Sequence, residues 1–512
     1  MRRLHRFLLG SALALLSLSG TGAAEDRPRY LRVHGVERSG LAALARLADV
    51  DGVDDDGTVR VYTTPEGVAK LLAAGYVVEE LPDPGINPDP GTRADGRVGE
   101  AWDTYPSWSG YVAMMNQFET DCGTTYPDIC HLVDLGPSAN TSRPHRLYAI
   151  RISDNPSLDE DEPEVLLTSS IHGDETVGAM LLLHLIDELL RNYDPASVDP
   201  VKQEITALVN GVEIWINPFA NPDGTYYTSD ASVSGAIRFA TNANGTSSGV
   251  DMNRNFPDVV DGLHPDGYAW RLETQTMMAF ASARHFNLST NFHGGAEVVN
   301  YPWDVWCSPH VHPDDDWWRV VARDYATHAQ ANPPYAGYMN DLDNGITEGC
   351  DWYVVNGGRQ DYMNYWQYGR EMTIEVSGTK NPAGSTLPGF WTANRQALLD
   401  LLKQPLAGVR GLVRSNPSLA PLAGHVEVVG RDKEHTQVGT DPAVGDYHRA
   451  LLPGTYTLRF YAAGHQTLTV PGVVVASGPA TRLDVALEPV VGELFADGFD
   501  FGGAVGWTLS FP

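Results

Sequence analysis

The sequence predicts an α/β protein in three parts: a mixed sheet flanked by helices, a small α+β unit before it, and a β-sandwich after it. Three observations carry this. Residues 98–405 alternate strand-like with helical runs. Residues 25–97 hold a shorter alternation that ends in a stretch rich in Pro, Gly and Asp. Residues 406–490 contain only short β-rich runs separated by turn residues. At 512 residues the chain is too long for one ordinary domain.

The chain opens with Arg2, Arg3 and Arg6, then an apolar stretch from Phe7 to Leu18 and small residues at Gly22 and Ala24. A basic start, an apolar run too short to span a bilayer and a small-residue exit predict a signal peptide over 1–24, cut before Glu25. In the α+β unit, strands are expected at Tyr30–Val36, Thr58–Thr63 and Val77–Leu81, with helices at Gly40–Ala48 and Pro65–Ala74. Pro82–Arg97 reads as a linker. A compact unit between a signal and a larger block suggests an inhibitory propeptide; a permanent accessory domain is the other reading.

In the large block, strands are expected at Glu164–Ile171, Val212–Pro218, Phe286–Phe292 and Met372–Val376. Helices are expected at Thr176–Asn192, Val201–Asn210, Glu273–Arg284 and Asp316–Ala331. The last part offers strands at Val409–Val413, His425–Val429, Thr455–Phe460, Gln466–Val470 and Arg482–Leu487. The tail, 491–512, has no assignable role.

The formal charge of -30 argues against nucleic acid or an anionic membrane as partner and favours cationic substrates. No segment after the signal reaches the length of a membrane helix, so an exported protein, secreted or periplasmic and without stable membrane insertion, is expected. The four cysteines fit that compartment. Pairing of Cys122 with Cys130 and of Cys307 with Cys350 is preferred among the three arrangements, and a four-cysteine zinc site lacks a close C-x-x-C pair.

The chemistry gathers just after strands, where α/β sheets place their sites. His172-Gly-Asp-Glu175 can aim an imidazole and a carboxylate at one metal ion, and His293, in Asn-Phe-His-Gly-Gly, is the best third ligand. Asn253-Arg254 sets an amide beside a guanidinium, donors suited to a free carboxylate. Tyr353 precedes Gly357-Gly358 by a short loop. Glu375 is an acid in an otherwise apolar strand, where it is costly unless paired or functional; near a metal it makes a general base. Each motif alone has a bland reading: His172 as a turn residue, Asp304 as a loop cap, Gln360 as a loop polar residue. His264, His310, His312 and His328 read as surface residues.

Together and in this order, these motifs resemble the zinc metallocarboxypeptidases. His293-Gly-Gly, Tyr301-Pro-Trp-Asp304 and Gly357-Gly-Arg-Gln360-Asp are similar to the carboxypeptidase N/E-type (regulatory) branch, whose transthyretin-like β-sandwich residues 406–490 resemble through Val409-Arg-Gly-Leu-Val and Leu452-Pro-Gly-Thr-Tyr-Thr-Leu. The resemblance implies a carboxypeptidase-type fold over about 100–400 and a role for each residue. His172, Glu175 and His293 would hold Zn²⁺. Asn253, Arg254 and Tyr353 would bind the C-terminal carboxylate of a peptide. Arg238 would stabilise the oxyanion and Glu375 would be the general base. Asp304 and Gln360 would line a pocket for a departing Lys or Arg. The stretch from Arg238 to Asp251 and the residue Arg359 depart from the branch's pattern, and an inward-pointing Arg359 would weaken a basic preference. Two other functions share the residues: a cell-wall peptide hydrolase on the same metal site, and a zinc-less binding or adhesion protein.

Overall fold

The computed structural model describes residues 27–490 except 55, 92, 94, 95, 97 and 99. The expected signal peptide and the tail lie outside the described residues.

An eight-stranded mixed sheet organises the central block. Its order is Ile346–Glu348, Glu297–Tyr301, Glu371–Val376, Phe286–His293, Glu164–Ser169, Glu213–Asn217, Arg146–Ile152 and Cys130–Pro137. The four strands from Glu371–Val376 to Glu213–Asn217 run parallel. Both faces are covered, so these strands are buried along almost their whole length rather than on alternate residues. Val165 and Leu167 enter one core, with the helices Val177–Asn192, Asp315–Ala331 and Leu387–Leu402. Leu166 enters the opposite core with Met277 and Phe280 of the helix Leu272–Ser282. The helix and strand expectations of this block hold to within two residues at each end.

The N-terminal unit is a four-stranded antiparallel sheet in the order Asp49–Val53, Val59–Thr63, Arg29–His34 and Val77–Glu80. The expected helix Gly40–Ala48 is shorter, Leu41–Ala45, because the chain turns out to form the unforeseen edge strand Asp49–Val53. That strand's Asp-Val-Asp-Gly-Val sequence looks like a turn, yet Val50 is buried against the unit's own core. A bulge between Val50 and Gly52 shifts its register. The linker is not a free tether. Asn87 is 2 % exposed, and its Nδ2 donates to Pro382 O at 2.7 Å in the central block.

The last part forms two small sheets around Val409, Val426, Tyr447, Leu458 and Phe460. Asp314 of the central block joins the parts: it accepts from Arg449 at 2.8 Å and from Arg431 at 2.7 Å. Disulfides link Cys122 with Cys130 and Cys307 with Cys350. His312 corrects the surface expectation: it is 1 % exposed, packed against Trp303 and Trp318. Among the described residues, no helix is long and apolar enough to cross a membrane.

Candidate active site

The carboxyl ends of the parallel strands gather the chemistry. His293 ends its strand, and His172 follows the strand Glu164–Ser169 by a short turn. The turn is tight: Ser170 has φ 55°, and its Oγ donates to Glu175 O at 2.8 Å. A Cβ on Gly173 would lie 2.3 Å from the Gly224 carbonyl carbon, so only glycine fits. His172, Glu175 and His293 are each 3 % exposed, and each offers a ligand atom within 4.8 Å of the other two. His172 Nδ1 lies 3.0 Å from Glu175 Oε1, His293 Nδ1 lies 2.8 Å from Glu175 Oε2, and the two Nδ1 atoms are 3.1 Å apart.

This donor set suits a zinc ion: two imidazoles and a carboxylate converge, the three-ligand set of zinc sites that keep a fourth position open. The back of each ring is held. His172 Nε2 lies 3.0 Å from Asp251 Oδ1, and His293 Nε2 lies 2.8 Å from the Asn291 side-chain amide. Burial and the Arg238 guanidinium press His172 toward neutrality, yet Asp251 and Glu175 prevail and raise it to about 9. Burial lowers His293 to about 4. Burial opposes ionisation of Glu175, but His172 and Lys380 hold it well below the usual carboxylate range.

Glu375 is the register partner of His293 on the neighbouring parallel strand, so both side chains leave the same face. Its Oε2 is buried without a hydrogen-bond partner. Burial, then the nearby Glu175, push its carboxyl up to about 8. Arg238 sits beside the candidate metal ligands: Nη1 is 3.1 Å from His172 Nδ1 and 3.3 Å from Glu175 Oε1, while Nη2 donates to Asp251 Oδ2 at 2.8 Å.

Asp304 and Gln360 are buried side by side, with Gln360 Nε2 donating to Asp304 Oδ1 at 2.9 Å. Asn300 Nδ2 donates to the same oxygen at 3.1 Å. Capping of this loop falls to Asp361, which accepts the backbone N–H groups of Asp304 and Val305. A side chain on Gly349 would meet Asp304 Oδ1 at 1.9 Å, so glycine leaves this carboxylate its space. Arg359 points away from the pocket into the core, where Nε and Nη2 donate to Glu371 Oε2 at 3.2 and 2.8 Å.

The N-terminal edge strand fills the remaining space. Arg254 Nη2 donates to Val50 O at 2.8 Å, and Tyr353 OH to Asp51 O at 3.4 Å. Asp51 Oδ1 accepts from Arg238 Nη1 at 3.0 Å and from Lys380 Nζ at 2.6 Å. Asp49 Oδ2 accepts from Arg238 Nε at 2.5 Å. Asn253 stays behind Arg254: its Oδ1 accepts from Arg359 N at 2.9 Å. All ten residues singled out in the sequence line this one region. Three further residues were missed. Asp251, next to Asn253, orients both His172 and Arg238. Asn291 backs His293. Lys380 bridges Asp51 and Glu175, with Nζ 2.6 Å from Glu175 Oε1. The available signal was weak: Lys380 is the sole lysine between Lys202 and Lys403.

Comparison with known proteins agrees with this geometry. A zinc carboxypeptidase family model matches residues 115–397, and a carboxypeptidase regulatory-like domain model matches 408–488. Carboxypeptidase D of Homo sapiens is 36% identical over 378 residues, covering 71% of this chain but 25% of its own length. The chain thus spans about a quarter of that relative. Carboxypeptidase M of Mus musculus is 34% identical over 375 residues, covering 70% of this chain and 80% of itself. The carboxypeptidase N catalytic chain of Rattus norvegicus is 33% identical over 400 residues, covering 71% and 82%. Among solved structures, carboxypeptidase A from Helicoverpa armigera shares the fold with a TM-score of 0.54 at 16% identity, covering 74% of this chain and 98% of its own. The matched family model takes in more than half of the chain, and the chain belongs to the zinc carboxypeptidase family, with a regulatory-like β-domain behind its catalytic block.

Proposed function

We propose that this chain is an exported zinc carboxypeptidase that removes single Lys or Arg residues from peptide C-termini, and that its N-terminal unit is an inhibitory propeptide. The observation that carries the reading is the convergence of His172, Glu175 and His293 beside Glu375 and a cluster of fixed cations. When bound by those three ligands, Zn²⁺ supplies a Lewis acid that polarises the scissile carbonyl and lowers the pKa of water.

The chain's own residues do the rest. Arg254, with Asn253 and Tyr353, binds the substrate's terminal carboxylate. An internal peptide bond offers no such charge, which restricts cleavage to the last residue. Arg238 donates to the oxygen that becomes negative in the transition state. Glu375 takes a proton from the attacking water and passes it to the departing amine. Asp304, steadied by Gln360 and Asn300, faces a cationic side chain in the pocket. A peptide ending in Glu would meet Asp304 in the same pocket and be repelled, which disfavours the cell-wall reading. The basic start of the chain, its apolar run and the two disulfides support export.

The edge strand supports the propeptide role. It offers two carboxylates and two backbone carbonyls to the groups that would hold a substrate's carboxylate and carbonyl. The test is a set of matched peptides ending in Arg, Lys, Phe or Glu, given to the chain freed of residues up to 97, with and without chelator. Rapid release of Arg and Lys that stops on chelation supports the proposal. Preference for Phe or Glu would overturn the pocket assignment.

A further inference from the structure

A second constellation lies at the seam between the catalytic block and the β-sandwich, away from the active site. The loop 153–163 carries Asp161 to this seam, and the strand Asp446–Arg449 brings Asp446 and His448. One ligand atom from each of the three lies within 4.8 Å of the other two. His448 Nε2 is 3.0 Å from Asp446 Oδ2, the same spacing as the imidazole–carboxylate pair His172–Glu175 in the active site.

The protein alone leaves these groups short of partners. Asp446 is 4 % exposed and His448 3 %, yet among the described residues Asp446 Oδ1 and His448 Nδ1 have no hydrogen-bond partner. Asp161 Oδ1 is buried and unpartnered as well, its other oxygen accepting from Arg482 Nη1 at 2.6 Å. An unmade hydrogen bond on a buried carboxylate is costly, and natural proteins seldom leave one. Asp446 also lines a crevice whose walls carry Glu162, Glu164, Glu213 and Asp441. Arg151 pairs with Glu213 in this crevice, and Arg410 and Arg482 stand on the Asp161 side.

We propose that Asp161, Asp446 and His448 bind a second divalent cation that ties the β-sandwich to the catalytic block. An imidazole with two carboxylates favours an ion of the zinc or manganese type over calcium, which takes oxygen ligands. The ion bridges two domains, so its role is structural. It lies outside the cleft that holds the reacting groups.

The experiment counts zinc. The full chain is equilibrated with Zn²⁺ alone, freed of unbound metal and assayed for zinc per molecule. The expected result is two per chain in the native protein and one in Asp446→Asn and in His448→Gln. His172→Gln should also hold one, at the seam, which separates this site from the catalytic one. Asp161→Asn, at a partly exposed position, serves if the buried variants do not fold, and should likewise hold one. Peptide release by the seam variants, once residues up to 97 are removed, should match the native enzyme. One zinc in the native chain, two in the seam variants or none in His172→Gln would overturn the proposal.

Discussion

The ends of the parallel strands and the edge strand that covers them meet in one cleft but were built by different rules. The strand ends and the loops beside them present cations and the candidate metal ligands on a fixed frame: Arg238 is anchored by Asp251, and His293 by Asn291. The edge strand Asp49–Val53 presents anions on the border of a small sheet, with a bulge in its pairing. Burial drives both. Asp51 would be expensive to bury alone, and Lys380 and Arg238 overcome that cost and hold its carboxyl below the ordinary value. The comparison teaches that a cleft lined with fixed cations receives a carboxylate-bearing strand of the same chain. Occupancy of the clamp by the chain itself is then the natural resting state under the proposed function.

Perturbing the two sides separately sharpens this contrast. On the rigid side, Glu375→Gln should lower turnover by roughly 10²–10⁴-fold, the range for loss of a general base. Zinc content should be unchanged, since no ligand is touched; near-native turnover with full zinc would contradict the assignment. Asp304→Ala should reduce kcat/KM for Arg-ending peptides by about 2 kcal/mol or more, because it strips a buried charge of its partner. Peptides ending in Phe should be nearly unaffected, and equal losses on both would point to a folding defect instead. On the covering side, Asp51→Ala in the intact chain should raise basal activity by about tenfold, a change of about 1.4 kcal/mol in closure. No rise would mean that Asp51 contributes little to closure.

The smallest expected effect is that of pH, and its sign follows from the two aspartates. The covered state lowers Asp51 below its ordinary value of 3.8, with burial overcome by Lys380 and Arg238. Its contribution to closure is therefore full above about 4 and is lost only as pH falls through the lowered value. Burial raises Asp49 to about 7 in the covered state, so closure gains from its protonation between pH 7 and 4. Mild acidification should not open the cleft. The activity of the intact chain relative to the freed enzyme should stay level or fall from pH 7 to pH 5, and a rise would reverse this account.

What was legible in the sequence follows the same divide. The strands beside His172, His293 and Glu375 are buried runs, and the motif residues sit at or just after their ends. Their elements and their meeting point could be read from pattern and resemblance. Asp49–Val53 could not. Two of its five residues are acidic and one is glycine, and its pairing with Val59–Thr63 and its contacts with Arg238 and Lys380 are tertiary facts with no local signature. Asp251 and Asn291 escaped for a related reason: they act through other residues, and a position behind a ligand is set by packing. His312 shows the converse error, since a histidine among prolines and aspartates looks exposed until Trp303 and Trp318 close over it.

The most direct measurement follows one peptide ending in Arg. The zinc-loaded full chain is folded first and then cut at a site introduced between residues 93 and 97, and release of free arginine is recorded as the N-terminal fragment is separated. The account predicts slow release from the intact chain and a rise of tenfold or more that tracks loss of the fragment and disappears with chelator. An intact chain that releases arginine as fast as the separated enzyme would contradict the claim that the strand Asp49–Val53 closes the cleft.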